Sequence, residues 1–361
     1  MAAGCEWERQ VASIDIVVPC YQYARFLRDC VTSVLTQDIQ NLRVLVIDDA
    51  SGDNSAEVAA QLASEDPRVE VSIHRSNRGH IATYNEGIDW VSSDYFLLLS
   101  ADDLLPPGSL LRAISVMEQH RDISFVHGGE VTLYTGQPLP EISVAAQKPQ
   151  WRISTGREFI EELCRTVSNP VSTSTAVVRT TAQKSAGHYC PKLPHSGDMD
   201  MWLRLAMIGR VGTTAAAQGI RRTHGSNMSA SQRSGKMRDR QDFLQREAAF
   251  RSFFSGAGSA LPDASQLGRR ALRNLADQAF WSGIAQICLG YARLGFTLLK
   301  FSFKLAPINA YLPPVSYLLR TDRVLHKIGV VVAEAAKLMG KGSDHAANAE
   351  TDRGRRWTPG D

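Results

Sequence analysis

The sequence has no CxxC pair, and its six cysteines are widely separated. This argues against a zinc site or a disulfide framework and is typical of a reducing compartment. The first residues carry charges and no apolar h-region, so no secretion signal is predicted, and we expect the protein in the cytoplasm. No G-x-G-x-x-G follows any predicted strand, which argues against a dehydrogenase.

Long hydrophobic runs are also missing. The longest uncharged stretches, 278–292 and 305–319, have 15 residues each, whereas a membrane-spanning helix needs about 20. Charge is uneven, with a net −6 over residues 1–230 and +9 over residues 231–361. The basic residues of the second part lie among apolar ones and form no polybasic run, so nucleic acid is not expected as a partner. Peripheral contact with the inner face of a membrane is the alternative to a plain helical bundle.

What the sequence does contain is an alternation of strand and helix patterns. Short apolar runs rich in β-branched residues, and one alternating segment, predict strands at 14–18, 42–47, 69–74 and 95–99. Segments with apolar residues three or four apart separate them and predict helices. This alternation predicts a mostly parallel α/β sheet covered by helices on both faces. Ligands of such sheets bind beyond the carboxyl ends of the strands.

The pattern becomes less regular after residue 106. A strand is predicted at 123–126, a loop at 138–149 and an amphipathic helix at 199–208, and the stretch 221–234 is polar and rich in Gly and Ser. The predicted domains are a catalytic domain over 1–235, a helical C-terminal extension over 236–340 and a disordered tail over 341–361.

Pairs of aspartates follow two of the predicted strands. Asp102 and Asp103 come after a buried apolar strand, where adjacent carboxylates are costly unless a cation or hydrogen-bond donors compensate them. Because Mg²⁺ and Mn²⁺ prefer oxygen ligands, the pair is a candidate metal site, with a turn or cap as the alternative. The pair Asp48 and Asp49 has the same ambiguity, and a carboxylate there can also accept hydrogen bonds from a nucleobase or ribose.

Five motifs occur in a particular order and spacing. They are VVPCY at 17–21, VIDDASGD at 46–53, NRG at 77–79 with NEG at 85–87, SADD at 100–103 and GDMDMWLR at 197–204. Together they resemble the family 2 glycosyltransferases over residues 12–230. The resemblance implies the GT-A fold and an inverting transfer of a sugar from a nucleoside-diphosphate donor, a UDP-sugar, to a hydroxyl. A glycan or lipid-linked acceptor in polysaccharide or glycoconjugate synthesis is expected.

The resemblance also implies a nucleotide-binding set. Pro19 and Tyr21 would line the base pocket, with Tyr21 against the face of the uracil. Asp49 would accept the uracil N–H. The residues expected to shape the floor beneath the ribose and diphosphate are Asn77, Gly79 and Asn85.

A metal site is implied in the same way. Asp102 and Asp103 would hold a Mg or Mn ion and the ribose. Ser100 stands where many members carry another Asp, which leaves one carboxylate fewer for the metal. His224, in a motif near the end of the matching region, would be a metal ligand or a diphosphate contact, with Arg222 neutralising phosphate charge.

Asp198 aligns with the catalytic base of the family. An inverting transfer needs a carboxylate within hydrogen-bonding reach of the acceptor hydroxyl, to take its proton as the oxygen attacks the anomeric carbon. Asp198 begins a predicted helix, so a role as helix cap is its alternative. Asp200 should point elsewhere. Trp202 is expected either to stack on an acceptor sugar or to pack in the core.

Two other functions fit the sequence less well. A nucleotidyltransferase uses similar sheets and paired carboxylates but usually has a Gly-rich loop with Lys or Arg after the first strand, which CYQY at 20–23 lacks. A non-catalytic scaffold that binds nucleotide sugars is the alternative of another class. The presence of Asp49, Asp102 and Asp198 argues against it.

Overall fold

The computed structural model describes residues 12–139, 149–225 and 238–320. In these parts of the chain eight strands form one sheet, and all four strands predicted from the alternating pattern are present. The strands are β1 (Ser13–Cys20), β2 (Asn41–Asp48), β3 (Val69–Ile73), β4 (Tyr95–Leu98), β5 (Ile123–Tyr134), β6 (Trp151–Ser154), β7 (Val177–Arg179) and β8 (Arg210–Thr223).

The strand order is β3-β2-β1-β4-β7-β5-β8-β6. Strands β1 to β4 pair in parallel, as the sequence predicts, with β1 between β2 and β4. The register pairs Cys20, the last residue of β1, with Asp48, the last residue of β2. The loops after these two strands therefore leave the sheet side by side at its carboxyl edge, where ligands of parallel sheets bind.

The other half of the sheet is mixed. β7 is antiparallel to β4 and β5, β6 is antiparallel to β8, and β5 is parallel to β8. The sequence pattern indicated only the first four residues of β5 and did not indicate β8, whose last residues, 221–223, also begin the polar stretch 221–234. β8 contains mostly Gly, Ala, Thr and Arg, so it lacks the alternation of branched apolar residues that marks a strand.

Seven helices accompany the sheet in the described part of residues 1–225: α1 (Ala24–Leu35), α2 (Ser55–Glu65), α3 (His80–Trp90), α4 (Ser109–Gln119), α5 (Gly156–Thr166), α6 (Thr180–Ala186) and α7 (Gly197–Ala206). α3 packs very closely on the sheet. A Cβ atom at Gly87 would lie 2.3 Å from Val17 Cγ1, so only glycine allows α3 to approach β1 this closely.

The chain divides into two compact units, Met1–Ser231 with Ala248–Gly268 and Gln232–Glu247 with Arg269–Asp361. The helices beyond residue 237 are α8 (Arg238–Ser255), α9 (Ala264–Cys288), α10 (Ala292–Leu305) and α11 (Val315–Arg320). Within the described residues the C-terminal extension is helical, as predicted. The boundary near residue 235 stays a prediction, and the predicted tail 341–361 lies outside the described residues. None of the described helices combines the length and apolar character needed to cross a bilayer.

Candidate active site

The loops after β1 and β2 are bonded to each other. The backbone N–H of Gln22 donates to Ser51 Oγ (2.9 Å), and that of Tyr23 donates to Ser55 Oγ (3.1 Å). Gln22 and Ala50 have φ values of 60° and 58°, in the left-handed region that a Cβ atom disfavours. Such strain persists only where surrounding contacts enforce it, and it clusters at functional sites.

Tyr21 lies in the first of these loops and lines an open cleft of about 720 Å³. Its side chain is 44% exposed, so its ring is accessible to a planar ligand. Pro19 is half-buried near the end of β1. The cleft is lined from the second loop by Gly52, Asp53 and Asn54.

Asp49, just after β2, is held by three donors. The backbone N–H groups of Arg78 and Gly79 donate to its Oδ1 (2.7 Å) and Oδ2 (2.8 Å), and His74 Nδ1 lies 2.7 Å from Oδ1. A φ of 82° at Gly79 accompanies this loop geometry. Burial raises the pKa of Asp49, but these hydrogen bonds prevail and the pKa is lowered. Asp49 is therefore an anion with acceptor capacity left on Oδ2.

Asn77 and Asn85 use their side chains within the protein. Asn77 donates to the carbonyl of Asp49 (3.2 Å) and accepts from the N–H of Gly79 (3.1 Å). Asn85 donates to the carbonyl of Tyr189 (3.0 Å) and accepts from its N–H (2.8 Å). Both residues thus shape loops, and direct contact of either with a nucleotide stays a prediction.

The predicted metal ligands lie together. His224 Nε2 is 3.0 Å from Asp102 Oδ2, and Asp103 Oδ1 accepts the backbone N–H of Arg222 (3.1 Å). The Ser100 hydroxyl donates to the other oxygen of Asp102. Both carboxylates and the imidazole are buried. Burial and the adjacent charge of Asp102 raise the pKa of Asp103 well above its ordinary value.

The donor set fits a hard divalent cation. Burial and the neighbouring charge of Asp102 disfavour the charged form of Asp103, and a bound cation would stabilise that form. Among the residues that the structure describes, no three His, Cys, Asp or Glu side chains are grouped so as to hold a metal by themselves. Mg²⁺ at phosphate-binding sites typically uses one or two carboxylates, phosphate oxygens and water. The site therefore fits a cation that binds together with a diphosphate.

Asp198 lies in the first turn of α7 and is half-buried. Its Oδ1 accepts the N–H of Met199 (2.8 Å), and its Oδ2 accepts Nδ2 of Asn169 (2.8 Å). The N-cap residue of α7 is Ser196, so the alternative role of Asp198 as the N-cap is wrong. Two donors from different segments orient the carboxylate, and each oxygen keeps further acceptor capacity.

Three carboxylates predicted from distant parts of the chain act electrostatically on Tyr84 of α3. Burial raises the pKa of this phenol, and the negative charges of Asp198, Asp102 and Asp103 raise it further. Coulombic effects of this kind require proximity. The candidate base and the candidate metal ligands therefore share one neighbourhood.

Asp49 is linked to this neighbourhood through His80, one turn before Tyr84. The rings of His80 and Tyr84 are 5.4 Å apart. Burial lowers the pKa of His80, and the charge of Asp49 acts on it in the opposite direction. His80 also lines a cleft of about 570 Å³ between α3 and the loop that contains Pro191 and Pro194.

Two other residues of α7 face the interior. Asp200 is 2% exposed and accepts Nε of Arg204 at 2.9 Å. Trp202 is also 2% exposed, and its ring lies 5.3 Å from that of Phe125. A buried indole offers no face to a sugar. The predicted stacking of Trp202 on an acceptor is therefore not supported, and its alternative, core packing, describes the side chain.

Three further residues of this site are not predicted from the sequence. His74 directly follows β3, and the strand-end rule that selects Asp49 would have found it. Tyr84 follows His80 by four residues on α3, a spacing that puts both on one face once the helix is known. Asn169, which contacts Asp198, carries no signal in the sequence because their contact depends on tertiary structure.

Comparisons with known proteins agree with this architecture. Residues 15–171 match the model of the family described as Glycosyl transferase family 2. The chain is 32% identical to the glycosyltransferase GlyG of Streptococcus pneumoniae over 116 residues, which are 32% of this chain and 38% of GlyG. It is 24% identical to the hyaluronan synthase of Pasteurella multocida over 201 residues, 56% of this chain and 19% of the synthase. The chain thus spans less than two thirds of these relatives.

Solved structures show the same fold. A crystal structure of Staphylococcus aureus TarS 1-349 in complex with UDP-GlcNAc has a TM-score of 0.52 at 14% identity, covering 83% of this chain and 92% of that one. The mannosyltransferase PcManGT from Pyrobaculum calidifontis, in complex with GDP-Man and Mn²⁺, has a TM-score of 0.50 at 17% identity, covering 82% and 87%. The predicted GT-A architecture is confirmed.

Proposed function

Since residues 15–171 belong to glycosyltransferase family 2, we propose that the protein transfers a sugar from a UDP-sugar to a hydroxyl acceptor, with inversion at the anomeric carbon. The observation that carries this proposal is that Asp102, Asp103 and Asp198 all lie near enough to Tyr84 to raise the pKa of its phenol. An inverting displacement needs stabilisation of a leaving diphosphate and a base for the acceptor close together. These carboxylates supply both.

The nucleotide binds at the ends of β1 and β2. Asp49 is an oriented anion whose Oδ2 accepts one hydrogen bond from Gly79, which leaves capacity for an N–H of the base. The accessible ring of Tyr21 stacks on the base from the neighbouring loop. An acceptor carboxylate together with an aromatic surface is a suitable pair for a uracil, which presents an N–H on a flat ring.

A Mg or Mn ion would be held by Asp102 and Asp103, with His224 beside Asp102. When bound, it would neutralise charge that develops on the departing diphosphate. The two carboxylates are adjacent and buried, so a bound cation would interact with them in a site of low water content. Each also accepts a hydrogen bond, from Ser100 or from the backbone of Arg222, which fixes its orientation.

Asp198 removes the proton of the acceptor hydroxyl. Asn169 and the N–H of Met199 hold the carboxylate in one orientation, which limits the reorganisation required for proton transfer. A half-buried position keeps the group accessible to an acceptor. Asp200 takes no part in proton removal, because its side chain is buried and paired with Arg204.

We further propose that the acceptor is a glycan or a lipid-linked molecule and that the protein makes peripheral contact with an anionic membrane surface. Residues 278–321 contain four basic and no acidic residues. Large apolar side chains in the same segment are exposed, among them Phe296 (58%), Tyr311 (83%) and Leu312 (64%). Exposed apolar groups combined with positive charge are typical of segments that lie at a membrane interface.

Thermal denaturation with a panel of UDP- and GDP-sugars, with Mn²⁺ or with EDTA, tests the donor assignment. We expect a UDP-sugar to raise the unfolding temperature only when the cation is present. Asp49→Asn should lose this response, whereas Asp122→Asn, which changes a 59% exposed carboxylate, should keep it. No response to any nucleotide sugar would contradict the proposal. Binding of the donor without release of UDP in the presence of any acceptor would favour a non-catalytic scaffold.

A further inference from the structure

The His74 side chain is buried between two carboxylates, beside the proposed binding site of the nucleobase. Its Nδ1 lies 2.7 Å from Asp49 Oδ1, and its Nε2 lies 2.8 Å from Glu86 Oε2. The side chains of His74 and Asp49 are each 5% exposed. The imidazole therefore joins the end of β2 to α3 through two short polar contacts, of which the one to Asp49 is almost fully shielded from water, whereas the Glu86 side chain is 27% exposed.

Both contacts are hydrogen bonds only if the ring carries two protons. A neutral imidazole donates through one nitrogen and presents a lone pair at the other. A lone pair that faces a carboxylate oxygen at these distances is repulsive, whereas an imidazolium donates to both carboxylates. The geometry therefore assigns the imidazolium form to His74.

Arg78 balances the charges of this cluster. Its Nη1 donates to Glu86 Oε2 (2.7 Å) and lies 3.4 Å from His74 Nε2, while Ser72 donates to the other oxygen of Glu86 (2.8 Å). The charged groups that face the imidazole are Asp49 after β2, Glu86 of α3 and Arg78 of the loop before α3. Burial lowers the pKa of His74, but the two carboxylates outweigh it, so the pKa is raised.

We propose that His74 is a positioning residue for donor binding: Glu86 keeps it as the imidazolium, which fixes Asp49 Oδ1 and leaves Oδ2 directed at the N–H of the base. The inference rests on the proposed function, because Asp49 acts on the base only there. When the ring loses a proton, one of its two contacts loses its hydrogen, and the link from Glu86 through His74 to Asp49 is broken. The backbone N–H groups of Arg78 and Gly79 then hold Asp49 without this support, and its orientation is less strictly fixed.

Donor affinity should consequently depend on pH. The pKa of His74 in the folded protein is above the ordinary value of 6.5. The positioning effect is therefore complete below 6.5 and is lost as the pH rises through the raised value. A difference of one pKa unit between the free and the donor-bound protein corresponds to a tenfold change in affinity, so we expect a loss of about tenfold.

The test is the affinity for a UDP-sugar with Mg²⁺, measured by calorimetry from about pH 6 to 9, the range around histidine titration. His74→Asn should bind the donor weakly at every pH, and the His74-dependent fall in affinity with rising pH should be absent. Glu86→Gln removes one of the two anions that raise the pKa of His74 and should move the fall in affinity to lower pH. His188→Asn is the matched control, because His188 also pairs with an aspartate of α3, Asp89 (2.8 Å), but is half exposed. It should keep the profile of the wild type.

The ratio of the affinities of wild type and His74→Asn cancels the titration of the donor and of the metal site. A ratio that does not change with pH overturns the positioning role, as does an unshifted profile of Glu86→Gln. NMR titration of the His74 ring in the ligand-free protein gives a second readout, and a pKa at or below 6.5 overturns the inference whatever the donor does. If neither the wild type nor any variant binds the UDP-sugar at any pH, the proposed function is overturned as well.

Discussion

Replacing Asp198 by asparagine separates the chemistry of this site from its stability. Proton transfer by a positioned base contributes about 10²–10⁴ in rate, or roughly 3–5 kcal/mol of the activation barrier. Asparagine keeps the shape but takes no proton, so turnover should fall by about that factor. In the structure Asp198 accepts from Met199 and Asn169, and asparagine has one oxygen for these two donors. The loss of one hydrogen bond should lower the free energy of unfolding by only about 1 kcal/mol.

Asp200→Asn is the matched control on the same helix. Asp200 is buried and accepts Nε of Arg204, whose side chain is 15% exposed. Breaking a buried ion pair by changing one partner costs about 3–5 kcal/mol, so this variant should be the less stable of the two. Its turnover per folded molecule should nevertheless stay near that of the wild type, because its carboxylate does not reach the acceptor.

The assay pairs UDP release, corrected for the folded fraction, with urea denaturation of each variant. The account predicts opposite rank orders: Asp198→Asn loses rate and little stability, and Asp200→Asn loses stability and little rate. Wild-type turnover in Asp198→Asn would refute the assignment of the base. Equal rate losses in the two folded variants would show that α7 acts only as a structural support.

Three further predictions concern other parts of the first unit. Asp102→Asn should weaken Mn²⁺-dependent UDP-sugar binding at least about tenfold in calorimetry, because it removes a charged ligand; unchanged binding would contradict the metal site. Trp202→Phe should lower the unfolding free energy by about 1–3 kcal/mol and leave the KM for the acceptor unchanged; a raised KM would restore its role in acceptor binding. Asp15, which is buried and paired with Arg43 (2.8 Å), has a lowered pKa because hydrogen bonds outweigh burial. Its contribution to stability is present above its ordinary pKa of 3.8 and is lost as the pH falls through the folded-state value, so urea unfolding of Asp15→Asn should lack this part of the acid dependence.

The sequence predicts the parallel half of the sheet well because its strands are short, apolar and β-branched. Asp49, Asp102 and Asp103 follow from the same pattern, since parallel strands release their loops at one edge. Residues 15–171 match the model of Glycosyl transferase family 2, and the comparison with solved structures confirms the fold. The roles of the individual residues stay predictions that the geometry supports to different degrees.

The mixed half of the sheet is harder to predict for a physical reason. β8 is rich in Gly, Ala and Thr, and its pairing with β5 is interrupted by register shifts, so its residues show no clean period of two. Trp202 illustrates a related limit. Its position beside Asp198 in sequence suggested the active site, whereas the turn of the helix carries it into the core against Phe125.

His74 and Asn169 show what a single sequence leaves open. Each acts through a partner that is distant in the chain, Asp49 for His74 and Asp198 for Asn169. Their residue types are common and their local contexts ordinary, so only the tertiary structure reveals that they contact the two carboxylates proposed to bind the donor and to remove the proton.

The most direct test of the account is time-resolved NMR of a UDP-sugar incubated with the protein and Mn²⁺, with water or an added alcohol as acceptor. The account predicts that UDP is released in step with a sugar whose anomeric configuration is the reverse of that in the donor, because a single displacement assisted by one base inverts the centre. Retention of configuration, or no consumption of any nucleotide sugar while the protein is folded, would contradict it.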